Sequence, residues 1–198
     1  GGVVVYGGIY GRFDVQDYNS SVVAVPLIPD GANWTVGTPV DVSGNSDESM
    51  PGAGHTVNDC AYFPYSYRAG TADPIVRVCK IDANGTVTAS LYPDLTVTKG
   101  TELGTCLLVH PDERAILSVF PYEVDGGSQS EAIGNYWDGD TWATVSLAGT
   151  TPTNTYYHPC CSGVFGGTQV ICASPASNGN PTTARFAWLE IDGVGFGG

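Results

Sequence analysis

The sequence predicts an all-β chain made of four repeats of about 53 residues. Three observations carry this reading. An apolar or β-branched run, an Asp-centred turn and a second β-branched run occur together four times, at Asp30-Gly31, Asp82, Asp138-Gly139 and Asp192-Gly193, so the turns recur at a nearly even interval. Asp-Gly between such runs is a strong hairpin signal, because a tight hairpin turn needs the left-handed backbone that glycine adopts freely. Separately, Val3-Val4-Val5-Tyr6-Gly7-Gly8 reads like Gly163-Val164-Phe165-Gly166-Gly167, and the two stand three such periods apart. Finally, 27 glycines and 13 prolines in 198 residues disfavour helix throughout.

Each repeat is expected to open on a first strand, at residues 3–8, 60–63, 106–110 and 163–167. A second strand follows at 12–15, 115–120 and 169–173. Cys60 lies much closer to the turn at Asp82 than Cys106 does to the turn at Asp138, so the second repeat is expected to have a stunted or missing second strand. The third and fourth strands flank each Asp turn: 22–28 with 34–36, 74–81 with 86–88, and 132–137 with 142–145. In the last repeat residues 186–191 lead into the turn, and the glycine-rich stretch 192–198 is too short for an ordinary fourth strand. Polar links at 43–54 and 149–155 recur with the period and so read as loops, not domain boundaries. The expectation is one domain over residues 1–198, with units 1–54, 55–104, 105–157 and 158–198.

Two apolar runs, Val22-Val23-Ala24-Val25 and Leu107-Leu108-Val109, are continuous where a half-exposed strand would alternate, which implies burial on both faces. A four-stranded unit of this kind, repeated along essentially the whole chain, resembles a blade of a β-propeller. A β-sandwich or another repeated β assembly is the alternative. The run Asp138-Gly139-Asp140-Thr141-Trp142 resembles the Asp-box turn of sialidase-type propellers, although it lacks the Ser-x-Asp-x-Gly-x-x-Trp frame. The double glycines in Tyr6-Gly7-Gly8 and Phe165-Gly166-Gly167 are similar to kelch repeats, in two of the four units. The resemblance implies an incomplete last blade. Either a larger propeller has been cut, or the blade lacks a strand, or a neighbouring subunit supplies one by strand addition.

Seven basic and twenty acidic residues give a formal charge of −13, which repels phosphate backbones and anionic membrane surfaces. No nucleic-acid partner is expected. Nor is membrane insertion, because no apolar run approaches the length of a spanning helix. Lacking an initiator Met and a signal peptide, the sequence reads as a mature or excised segment. Six cysteines, Cys60, Cys79, Cys106, Cys160, Cys161 and Cys172, make an even count without any C-x-x-C pair. Glycosylation sequons stand at Asn19, Asn33 and Asn84, the last two in or beside the repeat turns. Together these point to an oxidising, extracellular setting: secreted, cell-surface or virion-surface. Of fifteen possible connectivities, the hairpin positions favour Cys161–Cys172 and Cys60–Cys79, leaving Cys106–Cys160.

His55, His110 and His158 sit near first-strand ends, where they could share a metal, yet ordinary loop positions account for them as well. Asp14 with Asp17, and Asp138 with Asp140, are the candidates for calcium. Neither matches the calcium-loop pattern, so no cofactor is expected beyond that one possibility. Carboxylates at Asp112, Glu113, Glu123, Asp125 and Glu131 would be needed for glycoside hydrolysis, and Arg12, Arg68, Arg77, Arg114 and Arg185 for a sialidase-like site. The arginines are spread over all four repeats, and no nucleophile elbow or phosphate loop occurs. The aromatics instead favour recognition: Tyr62, Phe63, Tyr65 and Tyr67 cluster, Tyr156 and Tyr157 are paired, and Trp34 and Trp142 follow equivalent turns. Tyr65, Tyr67, Tyr156 and Tyr157 are the expected binding surface. The expected function is non-catalytic binding of a glycan or protein. The alternatives are a filament subunit joined through an edge strand and a glycosidase-type enzyme.

Overall fold

Every regular element among the described residues is a β-strand, and the strands form four antiparallel sheets in chain order. The computed structural model of the chain describes residues 3–9, 21–44, 48–68, 72–97, 102–122, 133–145, 148–149, 157–165, 168–175 and 185–190. Two compact units divide it, Gly1–Thr98 with the first two sheets and Lys99–Gly198 with the other two.

In the first sheet β1 (Val3–Ile9) pairs with β2 (Ser21–Asp30), whose other side carries β3 (Asn33–Val36) and β4 (Val40–Asp41). β3 and β4 are one outer strand interrupted at residues 37–39, where the Gly37 amide still donates to the Pro26 carbonyl at 2.7 Å. The predicted second strand at residues 12–15 lies outside the described residues. β1 itself abuts the strand that enters the Asp turn.

The second sheet contains β5 (Glu48–Pro51), β6 (His55–Val57), β7 (Cys60–Arg68), β8 (Ile75–Ile81), β9 (Val87–Thr88) and β10 (Leu95–Thr96). β5 and β6 run along one side of β7, and β9 and β10 along the far side of β8, so the sheet is four strands wide with two of them interrupted. This corrects the expected layout. No strand is missing from the second repeat, because the segment beginning at Cys60 is its second strand. Its first lies at residues 48–57, which begins inside the stretch 43–54 expected to be a loop, where Ser, Asp, Pro and Gly hide a strand whose pairing comes from β7.

The third sheet is a simple meander of β11 (Glu102–Val109), β12 (Ala115–Tyr122), β13 (Ile133–Trp137) and β14 (Trp142–Val145). All four strands fall where the spacing predicts. The fourth sheet orders β15 (Ala148–Gly149), β18 (Arg185–Glu190), β17 (Thr168–Pro175) and β16 (Tyr157–Phe165) edge to edge. β15 pairs with β18 through Ala148↔Trp188 and Gly149↔Ala187. The position expected to stand empty beyond the last turn is therefore occupied from within the chain, by residues preceding the repeat. The matched Gly-Gly segments also occupy unequal places: β1 adjoins the turn strand β2, whereas β16 is one strand further from its turn strand, β18.

Burial follows the apolar pattern in β11 and β12 but not in β2, where the continuous run 22–25 was expected to be buried on both faces and only one face is. Residues 105–109 of β11 and 115–119 of β12 are buried without a break, as the continuous run at Leu107 predicts. In β2 burial alternates, with Val22 and Ala24 inside and Val23 and Val25 half-buried. The core of the first unit joins Val22, Ala24, Val42, Phe63, Tyr65, Cys79 and Ile81, each large side chain contributing on the order of 1.5–3 kcal/mol of transfer free energy.

The turns work through their aspartates. Asp82 Oδ1 accepts the Asn84 and Thr86 amides at 2.9 and 2.8 Å, and Asp138 Oδ1 accepts those of Asp140 and Thr141 at 2.8 and 2.9 Å. These backbone donors favour the carboxylate form and hold both groups below the usual range. Gly31, Gly85 and Gly139 supply the left-handed conformations, with φ of 61°, 84° and 111°. Asp192 lies outside the described residues.

Candidate recognition edge

After Asp30 the chain reverses through Gly31 and Ala32, so that Asp30 pairs with Asn33 and Pro29 with Trp34. All four residues of β3 are exposed. Among the described residues the exposed large hydrophobics are Trp34, 51% accessible, and Val36, 65%. Strand periodicity places Trp34 and Val36 on one face of the strand and Asn33 and Thr35 on the other. Exposed carboxylates flank it, Asp30 before the turn and Asp41 in β4. An apolar, exposed outer strand costs solubility unless something uses it, and its unpaired backbone groups are a template for another strand.

The third sheet repeats the feature. Trp142 stands four residues after Asp138, as Trp34 stands four after Asp30, and it opens the outer strand β14. It sits opposite Trp137 across the turn, with ring centroids 5.5 Å apart and planes tilted by 57°, both residues partly buried. In the second sheet the same place is held by Thr86. The sequence reading named these tryptophans but placed the binding surface on tyrosines; the signal that finds Trp34 is its fixed distance from the turn aspartate on an outer strand.

Of the four tyrosines, Tyr65 must be corrected. It is 0% exposed, with its hydroxyl 2.7 Å from the Val42 carbonyl oxygen and 3.0 Å from that of Ala89. Its ring lies between Phe63 and Tyr67, at centroid distances of 6.4 and 6.3 Å. Burial pushes its phenol up to about 12. Tyr65 is a core residue because β7 is covered on both faces over residues 62–66. Tyr67, at the end of that run, is half-buried, with the Arg77 guanidinium 4.7 Å over its ring. Arg77 in turn grips Asp94 at two points, Nε to Oδ1 at 2.6 Å and Nη2 to Oδ2 at 2.8 Å. Tyr156 lies outside the described residues, and Tyr157 begins β16.

The histidines and carboxylates are distributed just as unevenly. His55 lies in β6, His110 follows β11 and His158 lies in β16. Among the described residues no three metal-ligating side chains come together. At the β11–β12 turn, Asp112 receives Arg114 Nε at 2.8 Å and faces His110 Nδ1 at 2.6 Å, while Arg114 Nη1 reaches the Tyr136 hydroxyl at 3.5 Å. Asp112 thus holds the imidazole and the guanidinium together, and the cluster organises its own turn, in which Glu113 has a φ of 67°. Glu123, Asp125 and Glu131, the other carboxylates weighed for hydrolysis, lie outside the described residues.

Two of the expected disulfides are also corrected. Cys60 and Cys79 are free thiols, and Cys106 is likewise a thiol, not half of a bond to Cys160. The register gives the reason: Cys79 stands opposite Phe63, three residues along β7 from Cys60, and Cys106 stands opposite Ser118. Burial pushes the Cys79 thiol up to about 12. Cys161, by contrast, stands directly opposite Cys172. The sequon residues Asn33 and Asn84 are exposed at hairpin turns, and Asn19 lies outside the described residues. Comparison with protein-family models, with curated proteins and with solved structures returns no match for this chain.

Proposed function

We propose that this chain is a non-catalytic extracellular recognition domain of the β-propeller type, each sheet a blade, which binds a glycan or protein partner through the aromatic outer edges of its sheets. The observation that carries the reading is Trp34, half-exposed on an outer strand whose four residues all face solvent. A flat, solvent-accessible indole face is the chemistry that stacks against a sugar ring. Its counterpart at Trp142 holds the equivalent place on β14, packed against Trp137. The blade reading is supported by the meander of the third sheet and by the adjacency of β11 and β16, edge strands of consecutive sheets. The sequons at the exposed Asn33 and Asn84 and the acidic balance are in keeping with an extracellular setting.

The test is a glycan array probed with the intact chain and with Trp34→Ala and Trp142→Ala. Binding that is lost in either variant, with melting temperature unchanged, supports the reading. An array without hits, or hits indifferent to both substitutions, overturns the glycan version.

A second reading rests on β3 as an edge. Its backbone outer side has no strand partner among the described residues, so strand addition from another subunit would complete it. Regular filaments in negative-stain microscopy would favour this, and monodisperse monomers in light scattering at high concentration would rule it out.

A further inference from the structure

The fourth sheet brings two cysteines to directly opposite positions. Cys161 of β16 pairs with Cys172 of β17, and the register continues through Ser162↔Ile171 and Gly163↔Val170. On the other side it breaks between Pro159 and Cys161, so Cys160 is the extra residue of a β-bulge. Opposed residues in an antiparallel pair carry Cβ atoms about 4.5–5.5 Å apart on one face. A disulfide needs about 3.5–4.5 Å, a difference within reach of the stronger local twist that a bulge introduces. The registers of the other cysteines put them opposite Phe63 and Ser118 for Cys79 and Cys106.

We propose that Cys161 and Cys172 form a reversible cross-strand disulfide, the redox site of this chain, while Cys60, Cys79, Cys106 and Cys160 remain thiols. In an oxidising environment the Cys161 thiolate attacks one sulfur of a small disulfide such as oxidised glutathione, and the other half leaves as a thiol. The Cys172 thiolate then attacks the Cys161 sulfur of the mixed disulfide and expels the second thiol. Two electrons pass to the oxidant, which ends as two thiols after taking up the two protons given up by the cysteines. The bond closes residues 162–171 into a loop and clamps β16 to β17. Cross-linking a loop of that length raises the melting temperature of a chain this size by roughly 5–10 °C.

The intact chain is equilibrated in buffers of graded glutathione ratio, denatured in iodoacetamide and mapped by mass spectrometry. The expected product links the peptide of Cys161 to that of Cys172, with the other four cysteines alkylated. Cys160→Ser keeps the link and the reductant-sensitive melting shift; Cys161→Ser loses both. Alkylation of all six cysteines at every ratio overturns the proposal, as does a link that survives Cys161→Ser, or a bond between Cys160 and Cys161.

Discussion

The Tyr65 hydroxyl lies 2.7 Å from the Val42 carbonyl oxygen, and so ties β7 of the second sheet to the segment that follows β4 in the first. The same hydroxyl is 3.0 Å from the Ala89 carbonyl, beyond β9. One phenol thus serves two outer-strand segments that break off from regular pairing nearby.

Removing that hydroxyl leaves buried acceptors with less than they need. Tyr65→Phe is expected to destabilise the chain by about 1–2 kcal/mol in urea titration. The pH dependence has a definite sign. Burial raises the folded phenol to about 12 from its ordinary 10.0, so the neutral form is favoured in the fold. Its contribution is complete below pH 10 and is lost as pH climbs toward 12, where the unfolded chain has already given up the proton. Stability of the parent should therefore fall more steeply over that interval than that of Tyr65→Phe; parallel curves would contradict the assignment.

Gly31 and Gly85 both have positive φ but differ in surroundings. A Cβ on Gly31 would meet nothing within 4 Å, whereas one on Gly85 would lie 2.6 Å from Ile28 Cδ1 and 3.3 Å from Pro26 Cβ. Gly31→Ala should cost only the left-handed backbone term, about 1 kcal/mol. Gly85→Ala adds a clash against β2 and should cost roughly 2–3 kcal/mol. Equal losses in thermal unfolding would mean that the second sheet's turn does not pack against β2.

Arg77 and Asp94 offer a test of a surface ion pair with ideal two-point geometry. Their side chains are 28% and 37% accessible, so solvent screens the pair, and Asp94→Asn should cost less than about 1 kcal/mol. The hydrogen bonds from Arg77 hold the Asp94 carboxyl below its ordinary value. Its contribution is present above the unfolded carboxyl range, near about pH 4, and disappears as pH falls through the lower folded value. The difference between parent and Asp94→Asn should close on acidification and shrink in high salt.

How much of this was legible in the sequence depends on what each residue's conformation answers to. The turn aspartates were legible because an Asx turn is closed by the residue's own neighbours, and Asp82 and Asp138 behave alike in different sheets. The third repeat was legible because its strands pair in order with short connections. Residues 48–57 were not, because β5 and β6 are strands only by virtue of β7 beside them. The same dependence misled the reading of Tyr65. It follows the strand expected at 60–63, yet β7 runs on past it to Arg68, Ser66 is itself buried, and Tyr65 is enclosed by segments distant along the chain, at Val42 and Ala89. Tyrosine clustering alone does not distinguish a ligand platform from a core ladder; distance from the turn aspartate on an outer strand does.

Val36→Lys separates the two readings of the edge. Val36 is 65% accessible and its strand is exposed along its whole length, so folding stability should change by no more than about 0.5 kcal/mol. A lysine on an outer strand is the device by which sheets discourage edge-to-edge pairing, because a docked strand would have to bury or displace the charge. If β3 recruits a strand from another subunit, Val36→Lys should abolish filaments or shift the light-scattering mass to the monomer. If instead Trp34 stacks on a sugar, binding should survive, since the indole itself is unchanged and backbone pairing is not involved. Trp34→Ala gives the complementary pattern: sugar binding is lost, while strand addition, carried mainly by main-chain hydrogen bonds, is weakened only modestly. The two variants measured side by side by array and by light scattering assign the edge to one use, because each reading predicts an effect in one variant where the other predicts little.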